Sequence, residues 1–182
     1  NLISFRVGSE KDFYVKNLFS NANDYLLVSD DNGRIYLPHY GESINTFREP
    51  HDLKEGLSVF VKGSEKKELV LEGRSLDLTS SDSTLYLEGF KQNLISYLPP
   101  VCLPSDFLFK NYSDQILLVK DDSGNFFIPE YNVNSLSELC PGRGYHLFLR
   151  DAENLNFTYP DPSLYKKYER EKIAKTRGDY EE

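Results

Sequence analysis

The chain has 182 residues, which allows one or two domains, and its 39% hydrophobic and 14% aromatic content is typical of a folded protein. The aromatic residues are Tyr and Phe without Trp, and a formal net charge of −8 opposes binding to nucleic acid and to anionic membranes. No apolar run reaches the length of a transmembrane helix, and no signal peptide is recognisable. We therefore predict neither a nucleic-acid partner nor membrane insertion.

The sequence repeats itself at an offset of roughly 90 residues, which indicates two copies of one structural unit. The matching segments are Asn1–Phe5 with Asn93–Tyr97, Leu26–Tyr40 with Leu117–Tyr131, and Gly56–Val61 with Gly144–Leu149. A unit of roughly 90 residues is long enough to bury its own core. The copies share apolar strand patterns and turn residues, whereas they share no set of catalytic residue types. The repeat therefore predicts architecture rather than chemistry.

Each copy is predicted to be a small β meander with one short helix or helical turn. In the first copy, a strand at Asn1–Phe5 precedes a helical segment at Lys11–Asn21. In the second copy the helical segment is shorter, at Asp106–Asn111, because three prolines precede it. A lead-in strand within Ser83–Gln92 runs into the second copy, while the first copy begins at Asn1 without one. We therefore expect the chain to be a piece of a longer polypeptide.

A hairpin is predicted in the middle of each copy. In the first copy, Asn32-Gly33 separates two apolar runs and favours a type I′ turn, in which both central residues have positive φ. Ser123-Gly124 is the weaker copy of this turn. The second strand of each hairpin ends near Pro38 or Pro129, because proline donates no hydrogen bond to a strand ladder.

A closing strand ends each copy, at Glu68–Glu72 and at Leu155–Tyr159, and a polar stretch at Gly73–Ser83 separates the copies. After Pro160 the sequence becomes charged and predicts a helix at Leu164–Thr176, capped by Ser163. The fold class is thus mainly β, with two tandem small barrel-like or sandwich-like modules and a helical tail. The predicted segments are a first β module at residues 1–75, a second at 83–160 and a charged, partly helical tail at 161–182.

Candidate metal and catalytic residues are few. The paired acids Asp30-Asp31 and Asp121-Asp122 are adjacent, whereas a calcium loop alternates its acids and adds a later bidentate Glu, so a hairpin turn explains them without a metal. The three histidines share no zinc-ligand spacing; they are His39, His51 and His146. We predict no cofactor, no metal and no enzymatic activity, although a pair of acids for glycoside hydrolysis stays open because their separation cannot be read from sequence.

The remaining candidates concern structure and binding. Cys102 and Cys140, both in the second copy, could form a disulfide in an oxidising compartment or remain free thiols. Gly142-Arg143-Gly144 precedes a strand rather than a helix and is interpreted as a turn rather than a phosphate loop. The candidate binding residues are four tyrosines at strand ends and the turn acids, which are Tyr36, Tyr40, Tyr131, Tyr145, Asp30, Asp31, Asp121 and Asp122. Each tyrosine could instead close the end of a small core.

The repeated pattern resembles a module of virion structural proteins of marine tailed phages, particularly tail and fibre components, and of secreted Bacteroidetes surface proteins. The second copy carries the pattern best, in Val119-Lys120-Asp121, Pro129-Glu130-Tyr131 and Pro141–Tyr145. The first copy departs from it, since His39 replaces the Glu and Lys54–Leu57 replaces the Pro-Gly-x-Gly-Tyr segment. The resemblance covers residues 1 to 160 and implies no catalytic residues.

The resemblance implies a non-catalytic structural and adhesive segment of a phage virion, in the tail, fibre or capsid periphery, where the modules serve as spacers or docking units. Expected partners are other virion or surface proteins in an oligomeric assembly. The predicted docking helix would contact a neighbouring subunit through Leu164, Tyr165, Tyr168 and Ile173. The alternative is a carbohydrate-binding or adhesion module of a secreted bacterial surface protein, with a glycan as ligand.

Overall fold

The computed structural model describes residues 1–5, 7–8, 13–65, 67, 69, 74–75 and 83–178. Over these residues the chain is mainly β and ends in a helix, as the sequence predicts. The strands are β1 (Leu2–Ile3), β2 (Val7–Gly8), β3 (Tyr25–Ser29), β4 (Ile35–Tyr36), β5 (Leu57–Val61), β6 (Arg74–Ser75), β7 (Thr84–Leu87), β8 (Gln92–Ser96), β9 (Leu103–Pro104), β10 (Ile116–Lys120), β11 (Phe126–Ile128), β12 (Val133–Asn134), β13 (Glu138–Leu139), β14 (Gly144–Leu149) and β15 (Leu155–Thr158). The helices are α1 (Val15–Leu18), α2 (Ser105–Phe109) and α3 (Tyr165–Gly178), with short 3-10 turns at Pro38–Ile44, Pro129–Tyr131 and Pro162–Leu164.

Two antiparallel sheets with the same strand order form the two modules. The first module contains β1–β6 and its main sheet has the order β1-β5-β3-β4. The second module contains β7–β15 and its main sheet has the order β8-β14-β10-β11-β12. Because β8, β14, β10 and β11 are the repeat equivalents of β1, β5, β3 and β4, the internal repeat of the sequence is also a repeat of topology. Over the described residues both sheets are open, so the barrel form that the sequence allowed is wrong.

Each module has its own hydrophobic core. In the first module, Val15 of α1 and Phe19 pack with Val28, Leu57 and Val59 of the sheet. In the second module Phe107, Leu108 and Phe109 of α2 are buried, and they lie with residues of β7, β8, β10, β14 and β15 in a larger cluster. The alternation of apolar residues along the central strands places one face of each sheet on its core.

Both predicted hairpins are present, but the predicted type I′ turn is wrong. Asp30 N–H donates to the Arg34 carbonyl at 3.2 Å, which leaves a three-residue loop at Asp31–Gly33. Gly33 has positive φ (77°), as does Gly124 in the second hairpin (86°), while Asn32 and Ser123 do not. Asp30 and its equivalent Asp121 explain the difference. Each carboxylate accepts backbone N–H groups of its turn, and it stabilises a turn in which a single glycine supplies the positive φ.

The other predicted elements compare as follows. The helix predicted at Lys11–Asn21 is a single turn at Val15–Leu18, and the predicted tail helix is present as α3. The predicted closing strand Glu68–Glu72 lies, apart from Leu69, outside the described residues. So does most of the predicted boundary at Gly73–Ser83. The equivalent closing strand of the second copy is β15, which pairs with the lead-in strand β7.

Candidate functional site

The second acid of each predicted pair reaches across to the other module. Leu94 N–H donates to Asp31 Oδ2 at 2.7 Å, and Leu2 N–H donates to Asp122 Oδ2 at 3.2 Å. Asp31 and Asp122 are repeat equivalents, as are Leu94 and Leu2. Each hairpin loop therefore binds an edge strand of the other module's main sheet, β8 or β1, so that the two modules exchange equivalent contacts.

Backbone hydrogen bonds repeat this exchange on both sides. Ser96 N–H donates to the Lys54 carbonyl at 3.1 Å, and Ser4 N–H donates to the Gly142 carbonyl at 3.2 Å. β-bridges join Glu55 to Ile95 and Arg143 to Ile3. We call the whole contact the inter-module interface, which consists of Leu2–Ser4, Asp31, Lys54–Gly56, Leu94–Ser96, Asp122 and Gly142–Gly144. It contacts β1 and β8, one edge strand of each main sheet, and so protects these two edges from pairing with other chains.

Two equivalent glycines allow the modules to approach closely at the inter-module interface. A Cβ atom on Gly144 would stand 2.9 Å from the Ile3 carbonyl oxygen and 3.1 Å from its nitrogen. A Cβ atom on Gly56 would stand 2.9 Å from Leu94 Cγ and 3.0 Å from the Ile95 carbonyl oxygen. Neither glycine has positive φ. The reason for glycine at both positions is therefore the space that the other module occupies.

A cluster of charged side chains lies next to the interface in the first module. The Arg34 guanidinium contacts Asp30, whose side chain is fully buried, and its Nη2 lies 2.5 Å from Glu55 Oε2. Burial is the main cause that raises the pKa of both Asp31 and Glu55, and neighbouring carboxylates add to it. Burial likewise lowers the pKa of His51. Burial thus raises the pKa of two acids in the interface and lowers the pKa of the histidine beside it.

His51 is a buried side chain for which the sequence indicates no role. Its Nε2–H donates to the Glu55 carbonyl at 3.0 Å, while Nδ1 has no hydrogen-bond partner and lies 3.9 Å from Glu55 Oε2. This arrangement assigns the proton of the neutral ring to Nε2. Of the other two histidines, His39 is exposed and His146 lies against Gln92, with a pKa lowered to about 4 chiefly by burial. The three rings do not converge on a metal site.

The first acid of each predicted pair belongs to its own turn. Asp30 Oδ1 accepts the N–H groups of Asn32 (3.0 Å) and Arg34 (2.8 Å). Asp121 Oδ1 accepts those of Ser123 (2.9 Å) and Asn125 (2.8 Å) in the same way. These hydrogen bonds occupy carboxylate oxygens that a calcium loop would need as ligands. The four predicted turn acids are thus placed by structure, two inside the turns and two between the modules.

The four predicted binding tyrosines divide into two buried and two exposed side chains. Tyr36 and Tyr145 lie in the cores and present no face to a partner, so their selection as contact residues is wrong; the Tyr145 hydroxyl accepts the Cys140 N–H at 2.8 Å. Tyr40 is 57% exposed and Tyr131 is 69% exposed. These two are repeat equivalents in the turns that follow Pro38 and Pro129, so they remain candidate contact residues.

Apolar side chains on the outer sheet faces add to this exposed surface. A β-bulge interrupts the pairing of β3 with β5 between Tyr25 and Leu27, and an equivalent bulge lies in β10. The bulged residues, Leu26 and Leu117, are exposed, as is Phe60 on β5. Neither the bulges nor their exposed leucines are apparent from the alternation of the sequence, because a bulge shifts the register by one residue.

The tail helix packs on its own chain. The rings of Tyr165 and Tyr168 lie 5.4 Å and 5.1 Å from that of Phe107 in α2, and Lys172 contacts Asp106. Tyr165 and Tyr168 therefore pack against the second module, where Phe107 offers them an aromatic surface. Leu164 and Ile173 remain exposed.

The two cysteines form a disulfide, Cys102–Cys140, whose Cα atoms are 4.2 Å apart. It joins the residue before β9 to the residue after β13, which are paired strands. Glu138 lies beside these sulfurs, and within the described part of the chain this is the one cluster of His, Cys or acidic side chains with metal-ligand spacing. Sulfurs joined in a disulfide cannot act as thiolate ligands, so the cluster is structural.

Comparisons with known proteins do not place the chain in a family. No protein-family model matches it, and no match was found among curated proteins or solved structures. Within the described residues, no helix combines the length and apolar character needed to span a bilayer. The functional argument therefore depends on the geometry described above.

Proposed function

We propose that the chain is a non-catalytic structural and adhesive segment of a phage virion protein, located in the tail, fibre or capsid periphery. The observation that carries the proposal is the reciprocal inter-module interface, at which Asp31 binds β8 of the second module and Asp122 binds β1 of the first. Backbone pairing on both sides of this contact fixes the two modules as one spacer. A fixed orientation is what a spacer or docking segment needs, since a flexible linker would lose binding free energy when it becomes ordered.

The contact surface in this proposal is formed by repeat-equivalent exposed residues. Tyr40 and Tyr131 offer one aromatic anchor in each module, and tyrosine is among the residues that carry most binding energy in protein interfaces. Leu26 and Leu117 add apolar surface at the two bulges. Two equivalent anchors on one rigid body favour bivalent contact with a repeated partner, such as copies of another virion protein. The virion setting itself comes from the sequence resemblance.

Antibody labelling of particles tests this proposal. Particles from the native source would be purified on a density gradient, labelled with antibody raised against the recombinant chain and imaged by electron microscopy. We expect label on tails, fibres or the capsid periphery, and peptides of the chain in the particle fraction by mass spectrometry. Recovery of the chain in secreted protein attached to an enzyme would contradict the virion setting.

A glycan-binding function is the second candidate, and the exposure of Tyr40 and Tyr131 is the observation that favours it, because aromatic faces stack on sugars. A glycan array would compare the unmodified chain with the Tyr40→Ala and Tyr131→Ala variants. Tyr86→Ala is the matched control, since Tyr86 is equally exposed but has no counterpart in the repeat. Binding that is lost in the first two variants and retained in the third would support a carbohydrate-binding module.

A further inference from the structure

The disulfide of the second module lies at the surface, beside a carboxylate. Leu103 of β9 is paired with Leu139 of β13, and this register places Cys102 opposite Cys140. Both leucines are almost fully buried, so the residues next to them in the strands point outward. Glu138 is exposed and precedes Cys140 by two residues, which puts both on the same side of the strand. Two sulfurs and one carboxylate therefore share one surface patch.

The three side chains have the spacing of zinc ligands. Their ligand atoms all lie within 4.8 Å of one another, and Cys140 Sγ lies 3.8 Å from Glu138 Oε1. A tetrahedral zinc ion with Zn–S and Zn–O distances of about 2.3 Å and about 2.1 Å holds a sulfur and an oxygen about 3.6 Å apart. While the disulfide is intact the sulfurs are joined, so only its reduction turns both of them into thiolate ligands.

Contacts that do not involve the disulfide hold the backbone of this patch. The Cys140 N–H donates to the Tyr145 hydroxyl at 2.8 Å, and the Cys140 carbonyl accepts the Arg143 N–H at 3.4 Å. Strand β9 is paired with β13 and leads directly into the buried residues of α2. Reduction therefore leaves the two sulfurs and Glu138 on a framework that keeps them close together.

We propose that the reduced chain binds one zinc ion at this patch, through the thiolates of Cys102 and Cys140 and the carboxylate of Glu138. Zinc accepts sulfur and oxygen ligands in tetrahedral geometry, and three protein ligands leave the fourth position to water. In the part of the chain that the structure describes, no further His, Cys or acidic side chain joins the group. This inference goes beyond the proposed function, since neither a virion nor a secreted setting requires a metal.

The redox state decides whether the disulfide or the metal site exists. Reduction takes up two electrons and two protons and yields two thiols; two equivalents of a monothiol supply both and end as a disulfide themselves. Zinc then replaces the two thiol protons. Cytosolic thiols keep cysteines reduced, whereas secreted proteins meet oxidising surroundings. A chain made in a reducing cytosol would thus carry the metal site, and the same chain after release would carry the disulfide.

Zinc titration of the full chain in both redox states tests the proposal. A phosphine, which becomes a phosphine oxide as it reduces the disulfide, is removed before calorimetry under anaerobic conditions. We expect one zinc ion bound per reduced chain and none at this patch in the oxidised chain. Co²⁺ in place of Zn²⁺ should give the sulfur-to-cobalt charge-transfer absorption of thiolate ligands. Zinc should also raise the Tm of the reduced chain, because it binds the folded state.

Substitutions in the reduced chain assign the ligands. Cys102→Ser should weaken zinc binding at least about 100-fold, because loss of a side chain that only orients a ligand already costs about 10–100-fold. Glu138→Gln removes the charged oxygen and should weaken binding at least about tenfold. Glu153→Gln is the matched control and should leave the affinity unchanged, because Glu153 is exposed and lies outside the group. All are compared without the disulfide, so its loss is common to them.

Failure of the reduced chain to bind zinc would overturn the proposal. So would equal binding by Cys102→Ser, or a cobalt complex without thiolate absorption. Unchanged affinity in Glu138→Gln would overturn the set of ligands, since the site would then consist of the two sulfurs alone. Equal binding by the oxidised chain would place the ligands elsewhere on the acidic surface and would overturn the dependence on redox state.

Discussion

Replacement of Asp31 tests whether the inter-module interface stabilises the fold. Asp31→Ala removes the acceptor of the Leu94 N–H, which lies 2.7 Å from the carboxylate at a strand that is buried between the modules. A buried donor left without a partner costs ~1–3 kcal/mol. The charge on Asp31 is itself disfavoured, since burial raises its pKa, so its removal recovers part of that cost. We expect a net loss of ~1–2 kcal/mol at pH 7.

Asp31→Asn separates the hydrogen bond from the charge. Asn keeps an oxygen that accepts the Leu94 N–H and removes the carboxylate charge, so its stability should lie within ~0.5 kcal/mol of the unmodified chain. The sign of the pH dependence follows from the raised pKa of Asp31. Its contribution to the free energy of unfolding is complete below the pKa of the acid in the unfolded chain, and it declines as pH rises through the pKa in the folded chain. Removal of the charge by Asp31→Asn therefore costs little stability at pH 7.

The repeat provides a matched control in Asp122→Ala. Asp122 is 39% exposed and its oxygen lies 3.2 Å from Leu2 N–H, so water can replace part of this bond and the loss should stay below about 1 kcal/mol. Urea unfolding at pH 7, followed by circular dichroism and by NMR signals from each module, measures the three variants. Equal stability of Asp31→Ala and Asp31→Asn would refute the reasoning, as would a larger loss in Asp122→Ala.

Three further predictions concern other parts of the structure. Gly144→Ala should destabilise the chain by ~1–3 kcal/mol in urea unfolding. Gly56→Ala should destabilise it by less, because the Leu94 side chain can move aside. Equal effects of the two substitutions would contradict the close backbone contact at Gly144. Stability should fall as pH decreases below about 6.5, where the unfolded His51 binds a proton that the buried ring resists; a His51→Phe variant with the same pH dependence would contradict this. Reduction of Cys102–Cys140 should lower the stability of the second module by ~2–4 kcal/mol and spare NMR signals of the first, and equal loss in both modules would show that they unfold as one unit.

Sequence reasoning identified the features that depend on near neighbours in the chain. Asn32-Gly33 and Ser123-Gly124 marked both hairpins, because a residue with positive φ is a local requirement that glycine meets. The charged segment after Pro160 marked the tail helix for the same local reason. The turn type was missed, because it depends on which N–H groups the Asp30 carboxylate accepts.

The candidate site was less accessible to such reasoning. Tyr36 and Tyr40 look alike in sequence, yet one is buried and the other exposed. Strand alternation predicts which residues share a face, but which face is covered depends on elements far away in the chain. Gly56 and Gly144 did carry a signal, since both copies keep a glycine before the same strand, and this was interpreted as turn geometry rather than as close approach.

Turn residues, proline and apolar periodicity act over a few residues. The amino-acid pattern alone was therefore enough to predict two copies of one β module, the position of each hairpin and the start of the helical tail. The contacts of Asp31 and Asp122 with the opposite module, and the packing of Tyr165 and Tyr168 on Phe107, became apparent only from the three-dimensional fold. These outcomes depend on contacts between residues many positions apart. The spacing of residues along the chain does not reveal such contacts, because they arise only when the two sheets pack together.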